Sequence, residues 1–174
     1  MRAAYQAILW ILAAFAFANQ AHAETGYDLW LRYQPLDAGT VQRVAPKLRY
    51  VVADGSRPTV RAALDELDRG LAGLIGSAPA HASAVQGEGG VVLATAGSPL
   101  LAGMKLPLAA LGREGFLLRT ATIGGARVTL IAANSDTGLL YGSFRLLKLL
   151  QLREPIDALD VQDAPKLQLR ALDH

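Results

Sequence analysis

Residues 115–133, GFLLRTATIGGARVTLIAA, run directly into residues 134–150, NSDTGLLYGSFRLLKLL, and the reading of this stretch decides the fold. Gly115–Thr122 and Arg127–Ala133 are two strand-like runs rich in β-branched and apolar residues. The turn between them, Ile123-Gly124-Gly125-Ala126, makes them a predicted β-hairpin. Asn134-Ser135-Asp136 then offers three N-capping side chains in a row. Leu139, Leu140, Tyr141, Phe144, Leu146, Leu147, Leu149 and Leu150 exceed a single apolar stripe, which predicts a deeply buried helix. Gly138 and Gly142, one turn apart, would let that helix approach the sheet closely.

Working outward toward the N-terminus, Val91–Ala96 is a continuous apolar run that reads as a buried central strand. Gly97-Ser98-Pro99 breaks it, and residues 100–112 read as short helical turns in a connection. Residues 77–90 read as an Ala/Ser/Gly loop. Before it, Val60, Ala63, Leu64, Leu67, Leu71, Leu74 and Ile75 recur at helical spacing. Ser56 is the expected N-cap, Pro58 lies just inside the start, and Gly76 can supply the left-handed cap at the end. Arg61, Asp65, Asp68 and Arg69 occupy its polar side. Lys47–Ala53 and the alternating Tyr27–Tyr33 are two further predicted strands. Outward toward the C-terminus, residues 153–166 read as a polar linker. Leu167–Leu172 alternates again as a strand that runs to the end of the sequence without a partner after it. The sequence therefore reads as the front part of a longer polypeptide.

The element order predicts an α+β fold, a two-layer sandwich in which two main helices cover one face of a mixed sheet of about five strands. The other face calls for a cover of its own. Trp30, on the polar side of the first strand beside Asp28 and Arg32, could pack under a neighbouring domain or stack on a sugar.

The 174 residues are 52% apolar and 18% charged, with a formal charge of +2 and no cysteine. This excludes a disordered chain, a disulfide framework, a thiol nucleophile and cysteine-based metal sites. No clustered basic stripe of the kind that binds nucleic acid is present. Mean hydropathy is +0.25, and part of it belongs to residues 1–23, which read as a secretory signal. Arg2 gives the positive start, Ala7–Ala18 the apolar run, and Ala21-His22-Ala23 the cleavage site before Glu24. The run is too short for a stable membrane anchor, which needs about 20 residues. The expected product is exported, periplasmic or extracellular. Residues 24–152 form its α+β domain.

Candidate chemistry is sparse. His81 sits in the loop with no carboxylate near it in sequence, and reads as a solvated histidine. His174 is terminal. Asp65, Glu66 and Asp68 share one helix and read as a solvated face, whereas a glycosidase needs two carboxylates across a cleft. Gly124-Gly125 and Gly87-Glu88-Gly89-Gly90 lack the Lys-Ser/Thr of a phosphate loop and read as turns. Asn134-Ser135-Asp136 reads as a helix cap, because Asp136 would repel an anion. No catalytic, cofactor-binding or metal-ligating residue is assigned.

Three segments together carry a resemblance. Gly26-Tyr27-Asp28-Leu29-Trp30-Leu31-Arg32-Tyr33 resembles the mature start of the α-glucuronidases of glycoside hydrolase family 67. Glu114-Gly115-Phe116 with Asn134–Phe144 resembles that family's strand and helix before the catalytic barrel. Pro155–Asp160 through Ala164–Arg170 resembles its linker into the barrel. The looser pattern is shared with the second domain of β-hexosaminidases, which stays open as an alternative, as does a free-standing carbohydrate-binding or interaction module. The family 67 resemblance implies a parent that removes (4-O-methyl)glucuronic acid from xylo-oligosaccharides, inverting and cofactor-free, in xylan degradation. It implies that residues 167–174 begin a (β/α)₈ barrel, the partner of this domain in the same polypeptide. The catalytic groups would lie on that barrel, so this chain alone is expected to be inactive and to expose apolar surface where the barrel docks. Homodimerisation of the parent is left open.

Overall fold

A computed structural model describes residues 32–166. Contacts divide the chain into Met1–Arg32 and Tyr33–His174, and the fold below belongs to the second unit. The signal sequence, Trp30, His174 and the strand expected at 167–172 lie outside the described residues. Of the strand expected at 27–33, only Arg32 and Tyr33 are described, and both are irregular.

The elements are α1 (Ala38–Val44), β1 (Tyr50–Ala53), α2 (Pro58–Ile75), β2 (Ala80–His81), β3 (Gly90–Thr95), β4 (Phe116–Ile123), β5 (Ala126–Ala133), α3 (Asp136–Gln151) and β6 (Asp160–Asp163). Single 3₁₀ turns at Ala45–Lys47, Pro99–Leu101 and Leu108–Leu111 punctuate the connections. The strands form one mixed sheet in the order β2-β1-β3-β5-β4-β6. β1 is parallel to β2 and β3, and β3 is parallel to β5. β4 is antiparallel to both β5 and β6. The two-layer α+β sandwich is thus observed, with six strands rather than about five.

Alternation along the strands builds two cores. Val51, Val91, Leu93, Phe116, Leu118, Ile131 and Ala133 face α2 and α3, meeting Leu67, Leu71, Leu139, Leu146 and Leu147. Val52, Val92, Ala94, Leu117, Leu130 and Ala132 face the opposite side. That second face does not wait for another domain. Leu101, Leu108 and Leu111, from the 3₁₀ turns of the β3–β4 connection, close over it. Because both faces are covered, β3 and β5 are buried nearly throughout, as their continuous apolar sequences require.

The hairpin and α3 form as their sequence predicts. Gly124 and Gly125 turn with φ of +57° and +80°, the left-handed pair that a two-residue hairpin favours. Ser135 caps α3, and α3 lies so close to the sheet that a Cβ on Gly142 would stand 2.4 Å from Ile131 Cγ2.

Five expectations need correction. The N-cap of α2 is Arg57, not Ser56. Pro58 at the first helical position keeps the residue before it extended, so Arg57 must be the boundary. The strand expected at 47–53 starts at Tyr50, because Ala45–Lys47 is wound into a 3₁₀ turn that Leu48 closes. The loop at 77–90 contains β2, and its ladder with β1 is extended by Ala80 N–H to Arg49 O and Ala82 N–H to Val51 O. The stretch read as a linker contributes β6. Its sequence, Asp-Val-Gln-Asp, is polar because an edge strand pairs on one side only and needs no apolar face. Arg119 and Asp160, directly opposite across the β4–β6 pair, add a salt bridge of 2.7 Å. Finally, α1 lies where no element is expected. Its seven residues are too few for a periodic signal, and Asp37 holds it by accepting from the Thr40 N–H at 2.9 Å and the Thr40 hydroxyl at 2.8 Å.

Candidate functional site

Among the described residues, a polar cleft is built by chain segments far apart in sequence. Pro46 and Lys47 come from the first 3₁₀ turn, Glu88 and Gly89 from the approach to β3, and Thr120 and Arg127 from the hairpin. Asp157 comes from the approach to β6, and together they surround about 300 Å³. A shallower depression lined by Arg119, Thr120, Arg127 and Asp160 adjoins it. Lys47 is ion-paired with Asp157, and Arg127 donates to the Asp157 carbonyl. Thr120 donates its hydroxyl to the same carbonyl at 3.4 Å and accepts from the Leu159 N–H at 2.9 Å.

The cleft brings two carboxylates, Glu88 and Asp157, to one depression, which is the residue pairing that glycoside hydrolysis uses. The hydrogen bond from Lys47, and then its charge, hold the Asp157 carboxyl below the ordinary carboxylate value. A glycosidase general acid needs the opposite, a carboxyl raised by burial or by like charge. Glu88 is exposed, and the Glu88 carbonyl, not its carboxylate, accepts from Arg49. The cluster pins the approach to β6 against the first 3₁₀ turn. Among the described residues, no group of three His, Cys, Asp or Glu is placed to hold a metal ion.

The residues singled out in the sequence are distributed as follows. His81, read as solvated, is exposed but not alone. Its Nε2 lies 2.9 Å from Asp68 Oδ2, because the α2–β2 crossover returns the chain beside the helix. Asp65 is exposed as expected, but Glu66 is not part of a solvated face. It is 3% exposed, accepts from the Tyr33 hydroxyl, and is paired with Arg69 at 3.2 Å. A signal for this was present in the sequence. Glu66, Gly70 and Gly73 share one helical stripe, and the glycines mark where other atoms come close. A Cβ on Gly73 would sit 2.7 Å from Tyr33 Cβ, and one on Gly70 2.5 Å from Leu147 Cδ2.

Asn134, Ser135 and Asp136 act as local pins. Asn134 donates to Leu108 O and Gly112 O at 2.6 and 2.8 Å, fastening the β3–β4 connection. Ser135 accepts from Gly138 N–H at 3.4 Å while donating to Arg113 O at 2.6 Å. Asp136 is held by Arg57 through two bonds of 2.6 Å, and that hydrogen bonding, with the Arg57 charge, lowers its pKa. The glycines at 87–90 wrap Tyr50 rather than a phosphate. Tyr50 donates its hydroxyl to Gly87 O and accepts from Gln86 N–H, and a Cβ on Gly90 would collide with its ring. Sequence reasoning missed the Lys47–Asp157–Arg127 cluster entirely. Its members are separated by up to 110 positions, and only the closing of the sheet by β6 brings them together.

No helix among the described residues is long and apolar enough to cross a membrane. Compared with known families, residues 29–146 match the one described as glycosyl hydrolase family 67 N-terminus. No curated protein matches the chain. Among solved structures, BtGH115A, a family GH115 4-O-methyl-α-glucuronidase with specificity for decorated arabinogalactans, aligns at 22% identity and a TM-score of 0.47. The alignment covers 59% of this chain and 13% of that one, so the chain spans only a small part of that protein.

Proposed function

The chain belongs to the glycosyl hydrolase family 67 N-terminus family, and from that premise we propose that it is the non-catalytic front domain of an exported α-glucuronidase. The parent would hydrolyse the α-1,2 bond of (4-O-methyl)glucuronic acid on xylo-oligosaccharides. The family match, which runs from before α1 into α3, is the observation that carries this reading. The tie between Lys47 and Asp157, which favours the ionised carboxylate, fits a chain that does not supply the general acid. In the parent, an inverting pair would act by protonating the leaving oxygen from one carboxylic acid and activating water with a carboxylate opposite. The role of residues 33–166 is to form a rigid body against which a barrel is oriented.

The test is an assay on aldouronic oligosaccharides with the 174-residue chain and with the reading frame extended beyond residue 174. The extended polypeptide should release the uronic acid with inverted configuration, and the 174-residue chain should not. Turnover by the 174-residue chain would overturn the reading. Export is tested separately, by N-terminal sequencing of the secreted product. A mature start at Glu24 is expected, and a retained Met1 would exclude cleavage.

A further inference from the structure

The alternation that turns Ala133 and Ile131 of β5 toward the helices also turns Thr129 and Arg127 to that face. Above these two the sheet meets the cleft of about 300 Å³ rather than a helix. Thr129 is 4% exposed and lines that cleft. Among the described residues its hydroxyl has no hydrogen-bond partner, although buried polar groups are almost always paired. A hydroxyl so placed takes its partner from the cleft. Thr120, directly opposite on β4, is by contrast occupied by the Leu159 N–H and the Asp157 carbonyl.

The charges around the cleft are unevenly matched. Lys47 is paired with the Asp157 carboxylate, whereas Arg127 donates to the neutral Asp157 carbonyl. A guanidinium has five N–H donors in a fork that fits a carboxylate, so most of this one remains to be used. The Lys47 hydrogen bond, then the charges of Lys47, Arg127 and Arg43, hold the Asp157 carboxyl low, which shows a positive field converging here. Glu88 adds an exposed carboxylate to the lining, an acceptor for hydroxyl donors.

We propose that this cleft binds a single sugar acid, with the ligand carboxylate on Arg127 and ligand hydroxyls on Thr129 and Glu88. Two residues apart on one strand face, Arg127 and Thr129 lie about 7 Å apart along the strand, a span that one small ligand with a carboxylate at one end bridges. The volume is at the lower end of ligand pockets. The lining sets Lys47 and Arg127 against Glu88 and Asp157, a balance that suits a monoanion and repels a phosphate dianion. An anion without hydroxyl donors would leave Glu88 as a repelling neighbour, and a neutral sugar would leave the Arg127 fork unused. The inference concerns the cleft of this chain and does not rest on the proposed function.

An NMR titration of the ¹⁵N-labelled 174-residue chain at constant ionic strength tests this. The probes are D-glucuronate, D-galacturonate, D-glucose, acetate and inorganic phosphate. At least one of the two sugar acids should shift the amides of Gly89, Arg127 and Thr129 and saturate in the millimolar range, the scale set by a ligand of about 13 non-hydrogen atoms. D-glucose, acetate and phosphate should each bind at least about tenfold more weakly. Thr129→Val keeps the shape of the side chain and removes only its hydroxyl. It should weaken sugar-acid binding about two- to tenfold while leaving the thermal midpoint where it was, because that hydroxyl holds nothing in this chain. Arg127→Gln should weaken binding about tenfold or more, with the spectrum showing that the fold is kept. The proposal is overturned if neither sugar acid gives a saturable shift at these amides. It is overturned equally if acetate or phosphate binds as tightly as the sugar acid, which would make the cleft a plain anion site, or if D-glucose does, which would make it a neutral-sugar site. A Thr129→Val chain that binds unchanged, or that melts lower because the hydroxyl serves the fold, also rejects it.

Discussion

Replacing Gly138 with alanine adds one methyl group where α3 meets the sheet. The added Cβ would stand 2.5 Å from the Gly115 carbonyl oxygen and 2.7 Å from Ala133 Cβ, about 0.7–0.9 Å inside the 3.4 Å at which ordinary contact begins. Neither neighbour can rotate away, since one is backbone and the other is itself a Cβ. Relief requires the first turn of α3 to lift off β5. Overpacking of this kind costs about 1–3 kcal/mol. Against it stands the gain from Gly to Ala in a helix, at most about 1 kcal/mol. The expected balance is a loss of about 1–2 kcal/mol, which lowers the thermal midpoint by roughly 3–10 °C for a domain of this size. Thermal unfolding of the 174-residue chain, followed by circular dichroism, measures it. Gly97→Ala is the matched control, because a Cβ there meets nothing within 4 Å, and it should stay within about 0.5 kcal/mol of the parent sequence. If Gly138→Ala is as stable as Gly97→Ala, the close approach of α3 to the sheet is wrong.

Three further outcomes follow from contacts already described. Tyr33→Phe removes a hydroxyl donor to the buried Glu66 carboxylate and should cost about 1–3 kcal/mol, read from the urea midpoint; an unchanged midpoint would mean that the hydroxyl is replaceable by water. Asp136 has its folded-state pKa lowered below the ordinary 3.8, first by the hydrogen bond from Arg57 and also by its charge. Its stabilisation is therefore present above the unfolded-state value and is lost as pH falls through the folded-state value. Arg57→Ala should flatten the fall in stability below about pH 4, and an identical acid limb in urea titrations would refute the linkage. Gly125→Ala places a side chain at φ +80° and should cost about 1–2 kcal/mol; a neutral effect on thermal unfolding would show that the turn relaxes into another type.

How much was legible in the sequence depends on where the information lies. The hairpin, α3 and the centre of α2 were readable because burial imposes a period on their apolar residues and their ends carry specific turn and cap chemistry. β3 was readable because a strand covered on both faces has no polar positions at all. β6 was not, since Asp160, Gln162 and Asp163 meet no apolar demand and the strand is specified by backbone pairing to β4. β2 is two residues of Ala-His, too short to carry a pattern. Among polar groups, Ser135 was legible as a cap because its partner, Gly138, is local. Glu66 was misread because its burial is produced by Tyr33, 33 positions away, and Asp157 was passed over because Lys47 is 110 positions away. Among the described residues Leu152 is the large apolar side chain left exposed, and the chain covers the second sheet face with its own connection.

The placement of β6 has a mechanical consequence. Any load carried by the chain beyond Lys166 reaches this domain through four residues paired antiparallel at the sheet edge. A pull from that end should act first on those four pairs, ahead of Leu159 and Ile156, which are buried in the core. Local opening of this kind lies well below global unfolding in free energy. As an edge strand of four residues, β6 should have amides that exchange with solvent deuterium before those of β5.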